Sequence, residues 1–127
     1  MRESEKHFEL AVQLSRDALK ALLIINGGAA TALVALMDKT DHARDYTPAV
    51  ICFAIGTVLA VISSCFGYLS QLHYANHRME IENGETVAAA ITYRKHNRWQ
   101  TCTIVAAFFT LFFMVIGIVT AAFIARP

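Results

Sequence analysis

Three long blocks without Asp, Glu, Lys, Arg or His dominate this chain, at residues 21–37, 49–72 and 101–125. At about 1.5 Å per residue, a helix over the shortest block would be about 25 Å long, close to the lower limit for crossing a bilayer. Lipid offers a bare backbone no hydrogen-bond partner, and the blocks lack the strict alternation of barrel strands. The sequence therefore predicts an all-α membrane protein with three transmembrane helices.

Composition excludes several classes of function. Of the 127 residues, 56% are hydrophobic and 17% charged, whereas a soluble domain usually has about a quarter of its residues charged. The net charge is +1 and there is no dense basic tract, so the sequence gives no electrostatic reason to expect nucleic-acid binding. The spans lack the ionisable groups of ion-coupled transport. No phosphate loop, nucleophile elbow or zinc-protease motif is present, so we expect neither an enzyme nor an organic cofactor.

Turn signals divide the chain into a single membrane domain with six segments. The predicted segments are an amphipathic cytoplasmic arm (1–18), span 1 (19–37), an external loop (38–48), span 2 (49–72), a cytoplasmic helical hairpin (73–100) and span 3 (101–125). Pro48 suits the first turn of the second helix. We expect that helix to run to about Ile81, a turn at Asn83-Gly84, and a short helix over 85–98 leading into span 3.

The distribution of Lys and Arg predicts the orientation. Eight of these residues fall in the arm and the hairpin, namely Arg2, Lys6, Arg16, Lys20, Arg78, Arg94, Lys95 and Arg98. Only three, Lys39, Arg44 and Arg126, fall on the other side. Because basic residues concentrate on the cytoplasmic side, we expect a multi-pass protein of the inner (plasma) membrane with a cytoplasmic N-terminus and an external C-terminus.

Each span carries small residues at helical spacing. They include Gly28 and Ala32 in span 1, Gly56, Ala60 and Gly67 in span 2, and Gly117 in span 3. In lipid, close backbone approach replaces the hydrophobic effect as the force between helices. We therefore expect tight helix packing at these positions. The small-residue surface exceeds what one three-helix interior needs, which favours a homo-oligomer.

Asn26 is the one strongly polar side chain deep in a span. An amide without a partner in hydrocarbon would cost several kcal/mol, so it must face another helix or a wet lumen. One interpretation is a structural hydrogen bond between helices. The other is a pore lining that Asn26 shares with Thr31, Ser63 and Ser64.

His73, His77 and Glu80 form the most site-like cluster. On a helix the i, i+4, i+7 spacing puts two imidazoles and a carboxylate on one face, a ligand set that suits a divalent metal. His96 could approach from the following helix. The alternatives are a solvated face whose histidines meet lipid phosphates, and pH sensing. The arm is a docking helix for a cytoplasmic partner, an interfacial helix lying on the membrane, or a segment packed against the 85–98 helix.

The first span, ALLIINGGAATALVALM, resembles that of small, largely uncharacterised bacterial inner-membrane proteins, which carry an Asn-Gly-Gly-Ala-Ala core after a charged arm. The resemblance covers residues 8 to 37. It implies a bacterial source, and it brings no activity and no site residues.

The leading hypothesis is a non-enzymatic, oligomeric membrane protein that forms a pore or perturbs the membrane. An alternative is a structural or assembly subunit that packs beside a larger membrane complex and docks a cytoplasmic or membrane protein. A second alternative is a metal-responsive protein that uses His73, His77 and Glu80.

Overall fold

The computed structural model describes residues 3–40 and 43–125, and all regular structure in them is helical. Helix α1 spans Glu3–Met37, α2 spans Thr47–Glu82 and α3 spans Thr86–Ile124, with a short 3-10 helix at Ala43–Tyr46 before α2. All three are long and apolar enough to cross a membrane, which confirms the prediction of an all-α chain with three candidate spans. Arg2, Arg126 and the side chain of Lys6, which the orientation argument counts, lie outside the described residues.

A tight turn connects α2 to α3. Gly84 has a φ of 78°, in the left-handed region that favours glycine. The Gly84 N–H donates to the Ile81 carbonyl at 3.0 Å, and the Glu85 N–H donates to the Glu80 carbonyl at 2.9 Å. These bonds occupy carbonyls that the end of α2 would otherwise leave without partners. The turn therefore folds α3 back antiparallel to α2.

Helix α3 is continuous over 39 residues, which corresponds to about 58 Å. The sequence predicted a separate short helix over 85–98 leading into span 3. Instead the two segments form one rod, because no glycine or proline interrupts the chain between Thr86 and Ile116. The polar ends of α2 and α3 consequently extend together beyond their apolar blocks.

The contact between α2 and α3 follows one repeat along the whole hairpin. On α2 the positions are Ala49, Phe53, Gly56, Ala60, Ser63, Gly67 and Ser70, and on α3 they are Ala89, Thr92, His96, Trp99, Thr103, Ala106, Thr110, Phe113 and Gly117, all buried or half-buried. We call these residues the α2–α3 seam. Their spacing alternates between three and four residues, the repeat of coiled-coil packing. The seam runs from the apolar blocks into the polar end without a change of register.

Small seam residues bring the two backbones close together. A Cβ built on Gly117 would lie 2.9 to 3.1 Å from ring atoms of Phe53, so the glycine makes room for the ring. Gly67 is looser, since its Cβ would lie 3.6 Å from the Thr103 methyl. Ala60 is 1% exposed. Close approach of this kind is what holds helices together in lipid.

Helix α1 packs mainly against α2 and only slightly against α3. Leu19 and Asn26 are its buried contact residues. Gly28 and Ala32, expected to pack tightly, are exposed, and a Cβ on Gly28 would meet nothing within 4 Å in the described part of the chain. The expectation fails within one chain because α1 turns its Leu19–Asn26 side toward α2.

Gly117→Ala should lower the thermal stability of the detergent-solubilised protein. The new methyl group must displace the buried Phe53 ring, at a cost of about 1–3 kcal/mol. Gly67→Ala and Gly28→Ala are the matched controls, and we expect both to be neutral or slightly stabilising because alanine favours the helix. An equal loss of melting temperature in all three variants would contradict the close contact at Gly117.

Candidate functional site

Asn26 lies in the contact between α1 and α2. Its side chain is 0% exposed, and its Nδ2 donates to the Leu22 carbonyl of its own helix at 2.9 Å. The Oδ1 atom is buried without a conventional partner. A Cβ on Gly56 would lie only 2.6 Å from this oxygen, so the glycine presents its Cα–H there, a weak donor in such contacts. In the monomer, Asn26 lines no open space.

A second polar contact connects α2 to α3 at mid-span. The Ser63 hydroxyl donates to the Thr103 carbonyl at 2.8 Å, and Ser63 is 0% exposed. Thr103 in turn donates its hydroxyl to the Trp99 carbonyl of its own helix at 2.9 Å. The serine therefore satisfies its donor across the seam instead of facing a lumen.

The other two predicted pore residues lie on the outer surface. Thr31 and Ser64 are exposed, and each hydroxyl donates to a carbonyl four residues earlier, Gly27 and Ala60 respectively, at 2.9 Å. Such bonds satisfy a hydroxyl within one helix and leave it free to face lipid. One chain does not bring Asn26, Thr31, Ser63 and Ser64 together around a single cavity.

Two histidines form reciprocal contacts at the polar end of the hairpin. Nδ1 of His96 on α3 lies 2.8 Å from the Ser70 carbonyl of α2, and Nδ1 of His77 on α2 lies 2.8 Å from the Ala89 carbonyl of α3. Because a carbonyl oxygen only accepts, Nδ1 of each ring carries the proton and donates. The two contacts are seven residues apart on each helix, and they fix the register of the hairpin.

Two tyrosines fill the space between these histidines. The ring centroids are 5.2 Å apart for Tyr74 and His96 and 5.0 Å apart for His77 and Tyr93. The remaining pairs are 5.9 Å for Tyr93 and His96 and 6.3 Å for Tyr74 and His77. The tilted rings form a four-membered cluster, a geometry that is favourable for aromatic groups. The cluster packs the two helices together beyond their apolar blocks.

Ser70 and His96 resemble a nucleophile and its base by distance alone. The Ser70 Oγ lies 2.9 Å from Nδ1 of His96, and both residues are buried, at 2% and 4% exposure. A catalytic histidine must accept the hydroxyl proton. Here Nδ1 already carries a proton that it donates to the Ser70 carbonyl, and the hydroxyl donates to the His96 carbonyl at 3.3 Å. The pair is therefore a structural contact.

The three predicted metal ligands do not converge on a common point. His77 is engaged with Ala89, and Glu80 accepts a hydrogen bond from the Thr92 hydroxyl at 3.0 Å. No group of three His, Cys, Asp or Glu residues within 3–40 and 43–125 is placed to hold a metal ion. The metal hypothesis considered the spacing on one helix and took no account of α3. Contacts with α3 engage His77 and Glu80 in the hairpin, and His73 does not join them.

Some residues at or near the polar end make contacts that the sequence did not predict. Ser70 and Thr92 become buried hydrogen-bonding residues, and Tyr93 completes the ring cluster. A signal for Thr92 was present in the sequence, since positions 89, 92 and 96 continue the spacing of the small residues at 103, 106 and 110. Reading the repeat past the apolar block would have extended the seam into the polar segment.

No protein-family model, curated protein or solved structure matches this chain.

A double-mutant cycle tests the contact between Asn26 and Gly56. We expect Gly56→Ala to lower the free energy of unfolding by about 1–2 kcal/mol, because the methyl group overlaps the amide. Asn26→Ala should remove most of that penalty, so that the two effects are not additive. Thermal unfolding in a fixed detergent measures both. Additive effects of the two substitutions would show that the residues do not touch.

Proposed function

We propose that this protein is a non-enzymatic structural or assembly subunit of a membrane complex, and that it docks a cytoplasmic protein through its polar end. The observation that carries the proposal is an exposed apolar pair on α3, Val87 at 75% and Ile91 at 53% exposure. The two residues are four apart and share the helix face away from α2. Together they make a small apolar surface outside the apolar blocks.

Val87 and Ile91 lie too far from the third apolar block for lipid to bury them. Val87 precedes Thr101, the start of the third apolar block, by 14 residues, or about 21 Å along a continuous helix. The headgroup region on one side of a bilayer is only about 5–8 Å thick. If α3 crosses the membrane, Val87 stands in water. An exposed apolar patch in water is typical of a protein-docking surface.

Basic residues on the same end of α3 indicate the chemistry of the partner. Arg94, Lys95 and Arg98 are all exposed and lie between the apolar pair and the membrane-spanning part of the helix. A partner that combines an apolar contact with acidic side chains would complement this surface. The same bases contribute to the excess that orients the polar end toward the cytoplasm. We call Val87, Ile91, Arg94, Lys95 and Arg98 the α3 docking face.

A second candidate function is an oligomeric pore. It is favoured by the outward-facing side of α1, where Gly28, Thr31 and Ala32 are exposed within the apolar block. Small residues and a hydroxyl on an uncovered face suit contacts between copies around an axis. In this arrangement Thr31 faces the lumen, whereas Asn26 and Ser63 keep their contacts within each chain.

Site-specific photocrosslinking in native membranes tests the docking proposal. A photoreactive residue at position 87 or 91 should give a discrete protein adduct, and Arg94→Glu with Lys95→Glu should reduce its yield at least about fivefold through lost charge complementarity. Ile81, an exposed apolar residue of α2, provides the control position. Equal adducts at all three positions, or adducts with lipid alone, would contradict the α3 docking face.

Reconstitution into planar bilayers tests the pore. We expect ion conductance that Thr31→Leu reduces at least about threefold, because an apolar side chain at a constriction favours dewetting. Leu33→Ile, a half-buried position in the same block, is the matched control. Absence of conductance at a protein density that gives channels with a known pore former would exclude this second candidate.

A further inference from the structure

A polar cleft lies beside the first half of α1 and faces α2. Its volume is ≈ 380 Å³, and its lining includes Glu9, Gln13, Arg16, Asp17, Lys20 and Gln71. The charged side chains comprise two bases and two carboxylates, so the cleft has no excess of either charge. Lys20 and Asp17 form only a long ion pair of 3.9 Å, and their side chains are 69% and 62% exposed. Both charges therefore remain accessible to a ligand.

This cleft is placed at the level where the apolar blocks begin. Lys20 directly precedes the first block, and Gln71 lies at the end of the second. Arg16 stands one helical turn above Lys20, about 6 Å further from the hydrocarbon. That depth matches the headgroup layer of a bilayer. A ligand in this cleft would be a headgroup in its natural position.

An apolar groove follows the cleft along the same α1–α2 contact. It has a volume of ≈ 530 Å³ and is lined by Leu23, Val61, Ser64, Cys65, Tyr68 and Leu69. Leu23 is three residues beyond Lys20, and Leu69 is two residues before Gln71. The groove therefore lies directly below the cleft, inside the apolar blocks. In a bilayer, a lipid acyl chain would occupy such a groove.

We propose that the α1–α2 contact binds a zwitterionic phospholipid whose headgroup ends in a primary ammonium. Arg16 and Lys20, four residues apart on one helix face, hold the phosphate. Asp17, between the two bases on the same helix, accepts hydrogen bonds from the ammonium. The acyl chain occupies the groove between Leu23 and Leu69.

The balance of charge selects this headgroup over the other common classes. An anionic headgroup would satisfy the two bases and leave the Asp17 carboxylate facing a like charge, which is unfavourable. A quaternary choline ammonium carries no N–H and cannot donate to a carboxylate. A primary ammonium has three donors. The cleft is therefore complementary to a phosphate and a primary ammonium held a few ångströms apart.

Native mass spectrometry of the full chain in detergent tests this site. The probes are phosphatidylethanolamine, phosphatidylcholine and phosphatidylglycerol with identical acyl chains, supplied at equal concentration. We expect phosphatidylethanolamine adducts to exceed each of the others by at least about threefold. Equal adducts of the three lipids, or a preference for phosphatidylglycerol, would overturn the proposal.

Substitutions assign the contacts to the two halves of the headgroup. Asp17→Asn should abolish the preference over phosphatidylcholine, while Arg16→Gln with Lys20→Gln should weaken binding of all three lipids. Arg94→Gln with Arg98→Gln, exposed bases before the third apolar block, should change neither. All five positions are exposed, so we expect the variants to fold, and circular dichroism checks this. An unchanged lipid preference in the carboxylate variant would also overturn the site.

Discussion

The close approach of α2 and α3 is the constraint on which the rest of the structure depends. Most seam positions within the apolar blocks are small residues, and Gly117 makes room for the ring of Phe53. Beyond the blocks the same repeat continues at Ala89, Thr92, His96 and Trp99, and the imidazoles of His96 and of the neighbouring His77 donate to main-chain carbonyls of the facing helix. The α2–α3 seam therefore keeps one register through both the apolar blocks and the polar end. Along the apolar blocks it combines close packing with the hydrogen bond from Ser63 to the Thr103 carbonyl, and along the polar end it combines hydrogen bonds with packed rings.

Helix α1 is attached by different means and far less extensively. It meets α2 through Leu19 and through the Asn26 amide against Gly56. Its remaining surface carries the exposed Gly28 and Ala32, and the charged arm diverges enough to leave a cleft beside Gln71. The molecule thus combines a tightly packed hairpin with one loosely held helix. Both candidate contacts along α1, with lipid and with other copies, arise from this difference.

Much of the fold could be predicted because a helix that crosses a bilayer needs a long stretch of residues without charges. The uncharged blocks predicted the helices, and Asn83-Gly84 predicted the turn that Gly84 makes with its positive φ. The direction in which each helix face points could not be predicted, since Gly28 and Gly56 look alike in sequence although one is exposed and the other buried. The metal hypothesis rested on a single helix, and the neighbouring α3 redirected His77 and Glu80.

The unbroken course of α3 has a mechanical consequence. If α3 spans a bilayer, this rod of 39 residues, with α2 packed along it, would tilt as one unit about the membrane. Tilting such a rod by 10° displaces one end relative to the other by about 10 Å. Force applied at the tip of the hairpin would therefore reach the opposite face of the membrane as a lateral shift, with no conformational change required within either helix.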